Sequence, residues 1–331
     1  METRVPTLKV QNLETTFFLK SGPFRAVRGL SYEIYPGETL GIVGESGCGK
    51  SVTSLAVMRL IENPGKITGG QVLFNGQDLL KISESEMENV RGSKIAMIFQ
   101  EPMTALNPVL TIGQQIDEQI LRHENVSQEE AKKRSIEMLS LVGIPSPEER
   151  YENYPHQLSG GMRQRAMIAM ALSCRPQVLI ADEPTTALDV TIQAQILELI
   201  QNLQKKFNMA VQFITHDLGV ISEISDRVLV MYGGQVCESA TTEELFKNPK
   251  HPYTAALMNS RPKLGQRTSR LKTIEGTVPA PQEFPKGCPF ANRCGFATSE
   301  CWAQVPPVSE IKKGHIVACF HPLNNEVGAH P

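Results

Sequence analysis

Eight residues constrain this chain more than any others: Gly44-Glu45-Ser46-Gly47-Cys48-Gly49-Lys50-Ser51, of the form G-x-x-x-x-G-K-[ST]. The apolar stretch Thr39 to Val43 precedes them and a helix-forming stretch, Val52 to Ile61, follows. A buried strand entering a glycine-rich turn that opens a helix is the context this pattern needs to hold a nucleotide. The glycines let successive backbone N–H groups converge on phosphate oxygens, with Val52 continuing the helix that closes the cradle. Lys50 reaches the terminal phosphates, and the Ser51 hydroxyl suits Mg2+. The loop is expected to bind a nucleoside triphosphate.

The rest of the chain reads as the α/β frame such a loop requires. Leu8-Lys9-Val10, Thr15 to Leu19 and Ser31 to Tyr35 have strand character, and Pro36-Gly37 turns the chain into the strand before the loop. Gln71-Val72-Leu73-Phe74 followed by Asn75-Gly76 predicts a hairpin arm. Ile95 to Phe99 is a short continuous apolar run ending at Gln100. Residues 101–172 turn helical; Glu129 to Val142 carries apolar residues at helical spacing and Gly143 closes it. Val178 to Ala181 is another apolar strand, delivering Asp182 and Glu183 at its end. Thr191 to Phe207 is an amphipathic helix, Ala210 to Ile214 a strand ending at Thr215-His216-Asp217, and Val228 to Tyr232 one more. Buried strands alternating with helices predict a parallel sheet with its ligand along the C-terminal strand edge, here with an antiparallel β subdomain and a helical insertion.

Triphosphate hydrolysis needs a metal, a group that orients water and positive charge near the phosphates. Asp182 suits the coordination sphere of Mg2+, and Glu183 suits the general base. Gln100 ends another strand, within reach of metal and water. Leu158-Ser159-Gly160-Gly161-Met162-Arg163-Gln164 is a second anion-binding turn at a helix start, which one filled P-loop does not itself require. It makes sense facing the nucleotide of another subunit.

These segments resemble the ATP-binding subunits of ABC transporters. The family's order is complete: the P-loop, the Q-loop at Gln100, the signature from Leu158 to Gln164, the Walker B strand Val178 to Glu183, the D-loop Ala187-Leu188-Asp189 and the switch histidine His216. The resemblance implies that Phe17 stacks on adenine, with Phe18 and Phe24 as other candidates, that His216 contacts the γ-phosphate, and that Asp189 of the D-loop belongs to the nucleotide site. It also implies a head-to-tail pair of ATPases opened and closed by ATP, with a permease helix docked on the insertion. Glu101 to Pro108, Tyr154-Pro155-His156-Gln157, Asp189 to Gln195 and His251-Pro252-Tyr253-Thr254 resemble the dipeptide/oligopeptide importers, a family that includes nickel importers, and within it the cysteine-cluster-bearing type. A second, paralogous ATPase, two permeases and an extracytoplasmic peptide-binding protein are the partners this implies. Undegraded motifs predict a full contribution to both composite ATP sites.

The ATPase domain is expected over residues 1–260 and a Pro/Cys-rich extension over 261–331, a separate loop-rich unit. Four of the seven cysteines crowd into that extension as Cys288-x5-Cys294-x6-Cys301-x17-Cys319. With little apolar mass around them, four thiolates suit a metal site whose ligation supplies the missing stability. Zinc, an iron-sulfur cluster and unligated thiols all satisfy the residues; the resemblance implies [4Fe-4S], in a structural more than a redox role. Cys48 reads as a small tolerated residue of the P-loop.

Composition bounds the alternatives. A net charge of −2 argues against a nucleic-acid face, and no run of eighteen apolar residues is present to span a bilayer. The start, Met1 to Pro6, lacks a signal-peptide core. The expected location is the cytoplasmic face of the cell membrane, reached through partners. A non-transport ABC ATPase acting on DNA or ribosomes is the rival class, against which stand the single P-loop and an insertion under 60 residues. A redox sensor built on an ATPase is the third.

Overall fold

The computed structural model describes residues 4–101, 105–186, 188–260, 274–279 and 283–324. Pro102 to Thr104, Ala187 of the D-loop and residues 261–273 of the extension lie outside the described residues. The described strands are β1 (Leu8–Leu19), β2 (Gly22–Ile34), β3 (Thr39–Val43), β4 (Gly65–Phe74), β5 (Gln77–Asp78), β6 (Ile95–Ile98), β7 (Val178–Asp182), β8 (Ala210–Ile214), β9 (Arg227–Tyr232), β10 (Gln235–Thr241), β11 (Ser309–Lys312) and β12 (His315–Val317). The chain divides into two units: Met1–Leu8, Ile34–Glu38 and Phe74–Ile214 form one, and Lys9–Glu33, Thr39–Leu73 and Thr215–Pro331 the other.

In the first unit β6, β7 and β8 run parallel, with Ile95 opposite Val178 and Val178 opposite Ala210. Every residue of the three strands is buried, which is why they read as nearly continuous apolar runs without alternation, interrupted by Gln212 in β8 and ended by Asp182 in β7. Helices Ile112–His123, Gln128–Leu141 and Pro147–Tyr151 form the predicted insertion. The Asp117 carboxylate ties them together, accepting from the Ser135 hydroxyl at 2.5 Å and from the Tyr151 hydroxyl. The helix Gly160–Leu172 follows, and Val190–Phe207 starts one residue before its predicted position.

In the second unit β3 pairs parallel with β9, β9 pairs antiparallel with β10 around Gly233-Gly234, and β10 pairs antiparallel with β12. Gly233 and Gly234 both take positive φ (54° and 78°), the geometry of a type I′ hairpin turn. A smaller sheet holds β2, β1 and β4 side by side. There the structure replaces two predicted pieces with one twelve-residue strand, β1. Its polar middle, Gln11-Asn12, breaks the sequence pattern because Asn12 sits in the left-handed region (φ 47°), an irregularity the strand absorbs.

The described residues of the extension group with the second unit and contribute β11 and β12, with Val317 opposite Glu238 and Ile316 opposite Ser239. No sequence period announces them because β11 is exposed at every residue and β12 is three residues long.

Candidate nucleotide site

The phosphate-binding loop leaves β3 at Gly44 and enters the helix Lys50–Val57. A Cβ on Gly44 would stand 2.3 Å from the Met231 carbonyl oxygen and 2.7 Å from the Cys48 sulfur, so the turn admits no side chain. Cys48 is fully buried and burial pushes its thiol up, which makes it a packing residue. Lys50 is 6% exposed, and its ammonium donates to the carbonyls of Gly44 (2.8 Å) and Glu45 (3.1 Å). The cation is thus satisfied by its own loop. Ser46 and Gly47 are exposed and Ser51 is half-buried.

Two supports of this loop escaped the sequence reading. The Glu45 N–H donates to the Tyr253 hydroxyl oxygen at 2.9 Å, and the Glu45 carboxylate is held by Arg293 of the extension. Tyr253 lies in a segment the sequence analysis singled out, without a role.

The first unit carries the acidic groups. Asp182 is buried (4% exposed) as the last residue of β7. Glu183 follows in the left-handed region, φ 46°, its N–H bonded to the Ile214 carbonyl at 2.9 Å. A non-glycine residue there costs on the order of 1–3 kcal/mol, and such strain clusters at functional sites. The Glu183 carboxylate accepts from the Gln100 side-chain amide at 3.1 Å and from the Thr186 hydroxyl at 3.0 Å. Gln100 and Glu183 are therefore brought together, and Thr186 joins them.

In the signature segment Ser159 caps the helix Gly160–Leu172, its hydroxyl accepting from the Met162 N–H at 3.3 Å. Ser159 and Gly160 are exposed, and a Cβ on Gly160 would meet nothing within 4 Å. Two further signature residues, Leu158 and Gln164, are buried within this chain. Leu158 is 4% exposed; Gln164 is 1% exposed and donates to the Pro184 carbonyl at 2.5 Å. One helical turn beyond the exposed end, position 164 faces inward. Asp189 caps the helix Val190–Phe207 through the Ile192 N–H at 2.9 Å, and His216 is exposed just after β8. Phe17 is half-buried with its ring edge beside Gly65, Phe24 is half-buried, and Phe18 is 51% exposed.

Cys288, Cys294, Cys301 and Cys319 line a single recess with Phe290 and His321. None of the four is in a disulfide. Burial pushes the thiols of Cys288, Cys294 and Cys319 up, Cys319 to about 11, and their proximity to one another adds repulsion once they ionise. Among the described residues no three His, Cys, Asp or Glu converge as ligands of one metal ion.

Comparison with known proteins places these features in context. Residues 27–186 match the family described as ABC transporter, and residues 237–301 match the C-terminal region of oligopeptide/dipeptide transporters. A probable peptide ABC transporter ATP-binding protein of Sinorhizobium fredii is 55% identical over 97% of this chain and 96% of its own. An oligopeptide transport ATP-binding protein of Bacillus subtilis is 52% identical over 97% and 98%. A dipeptide transport ATP-binding protein of Escherichia coli is 50% identical over 96% and 97%. Among solved structures, the dimeric bacterial ABC transporter cassette MJ0796 superposes with a TM-score of 0.64 at 28% identity, covering 71% of this chain and 98% of that one.

Proposed function

The chain belongs to the ATP-binding subunits of ABC-type peptide importers, and from that premise we propose how its residues drive the transport of di- or oligopeptides. Phosphate oxygens displace the Gly44 and Glu45 carbonyls from Lys50, so the ammonium exchanges two neutral acceptors for a charged one. Ser51, Gln100 and Asp182 suit the Mg2+ that accompanies ATP and neutralises charge on the phosphates. Glu183 takes the proton of the attacking water, and His216 holds the γ-phosphate. Ser159 and Gly160, exposed and unobstructed, face the nucleotide of a second, paralogous ATPase. Permease subunits receive the motion, and an extracytoplasmic binding protein delivers the peptide. No described helix is long and apolar enough to cross a membrane, so the chain works on one through these partners.

The observation that carries this reading is the Glu183 carboxylate at the end of β7, held by Gln100 and Thr186. Glu183→Gln keeps the shape and removes the base. ATP turnover of the assembled importer should fall at least about 100-fold while ATP binding persists and the ATPase pair accumulates closed. Near-normal hydrolysis would sink the assignment.

The four cysteines of residues 288–319 are the ligands of a thiolate-bound group, a proposal supported by their common recess. The residue types suit zinc or an iron-sulfur cluster, and the resemblance to the cysteine-bearing peptide importers favours the [4Fe-4S] cluster. Its positive irons would relieve the cost of ionising buried thiols.

A further inference from the structure

We propose that Arg293 is a positioning residue for ATP binding: it fixes the phosphate-binding loop through Glu45 and cancels that carboxylate's charge beside the nucleotide. This rests on residues 44–51 being the phosphate site.

The guanidinium has five N–H donors in a rigid fork, and the structure shows five hydrogen bonds from it. Nη1 and Nη2 donate to Glu45 Oε2 and Oε1 at 2.6 and 3.0 Å, a two-pronged ion pair. Nη1 also reaches the Tyr232 hydroxyl at 3.3 Å, Nη2 the Gly276 carbonyl at 3.2 Å, and Nε the Glu275 carbonyl at 3.0 Å. The Arg293 side chain is 4% exposed and Glu45 28%.

Glu45 is bound a second time, through its backbone. Its N–H donates to Tyr253, whose ring packs edge-on against Tyr232 with centroids 4.7 Å apart. Tyr232 meets Phe290 in the same way at 5.2 Å, and Phe290 comes from the same short segment as Arg293. The first turn of the phosphate loop is thus set, on both its side chain and its backbone, by residues far along the chain.

The chemistry makes this arrangement consequential. A P-loop binds phosphate with backbone N–H groups, so a carboxylate at its second position contributes nothing to binding and repels ATP. Paired with Arg293 it is neutral in effect and becomes an anchor. A loop already ordered loses less entropy when ATP arrives.

The test uses the purified full-length chain, titrated with a fluorescent ATP analogue and Mg2+, and the assembled importer for ATPase kinetics. Arg293→Gln should raise the Kd and the KM for ATP about tenfold, the ratio that 1.4 kcal/mol represents, with the loss carried by KM more than kcat. Adding Glu45→Gln to that variant should bring the Kd back to within about threefold of wild type, because the stranded carboxylate is gone. Arg293→Lys, which keeps charge but not the fork, should fall between. A purely structural role predicts a lower Tm with the Kd unmoved, and that result overturns the proposal. So does a double variant that binds no better than Arg293→Gln. If wild type itself binds no ATP, the nucleotide reading fails first; if wild type and Arg293→Gln bind alike, only this inference fails.

Discussion

Single residues in this chain are governed by what burial does to charge. His251 is 2% exposed and its Nδ1 accepts from the Tyr253 N–H, which requires a neutral ring nitrogen. Burial pulls its pKa from 6.5 down to about 4, with the nearby Glu238 carboxylate opposing. Glu238 is itself engaged by the N–H groups of Lys250 and His251 and by His315 Nε2. Because the folded pKa lies below the unfolded one, the unfolded chain binds the extra proton, and stability falls as pH drops from 6.5 towards 4. His251→Asn retains an acceptor that does not titrate, so its Tm should decline less steeply across that window than wild type; equal slopes would refute the role. His251 was visible in the sequence only as part of a recognisable segment. By contrast Lys50, Glu183 and Gln100 were legible, because phosphate chemistry dictates residue types at fixed spacings around buried strands. Arg293 and Glu45 were not, since the pair joins positions 248 residues apart and each is one charge among many.

At the scale of an element, the helix Gly160–Leu172 divides the signature between two jobs. Its start, Ser159 and Gly160, is exposed, while Gln164 one turn on is buried against Pro184. The sequence pointed to a capped helix start but not to this partition, which depends on where Pro184 comes to lie. The exposed half gives a clean test, because a Cβ on Gly160 meets nothing in this chain. Gly160→Ala should leave the Tm of the isolated subunit within a degree or two, and its helix propensity favours the change by up to about 1 kcal/mol. Yet ATPase activity of the assembled importer should drop at least tenfold if a partner's phosphates approach that backbone. Full activity would place the turn outside the composite site.

For the molecule as a whole, the parallel strands β6, β7 and β8 were readable because burial on both faces leaves nearly continuous apolar runs. The extension was opaque in its structure: β11 and β12 carry too few residues to show a period. Iron, acid-labile sulfide and zinc per chain, measured on anaerobically purified protein, decide what the thiols hold. About four irons and four sulfides are expected, and removal by a chelator under oxidising conditions should lower the Tm. Zinc alone, or no metal, would reject the cluster.

The two strands at the end of the chain also have a bearing on solubility. β12 occupies the hydrogen-bonding edge that β10 would otherwise present, and β11 closes the row with Ser309, Glu310, Ile311 and Lys312, all exposed. A short, charged outermost strand is a poor template for another copy's backbone. Losing that ribbon would leave β10 as an unguarded sticky margin, and the first symptom would be clumping of an otherwise folded protein.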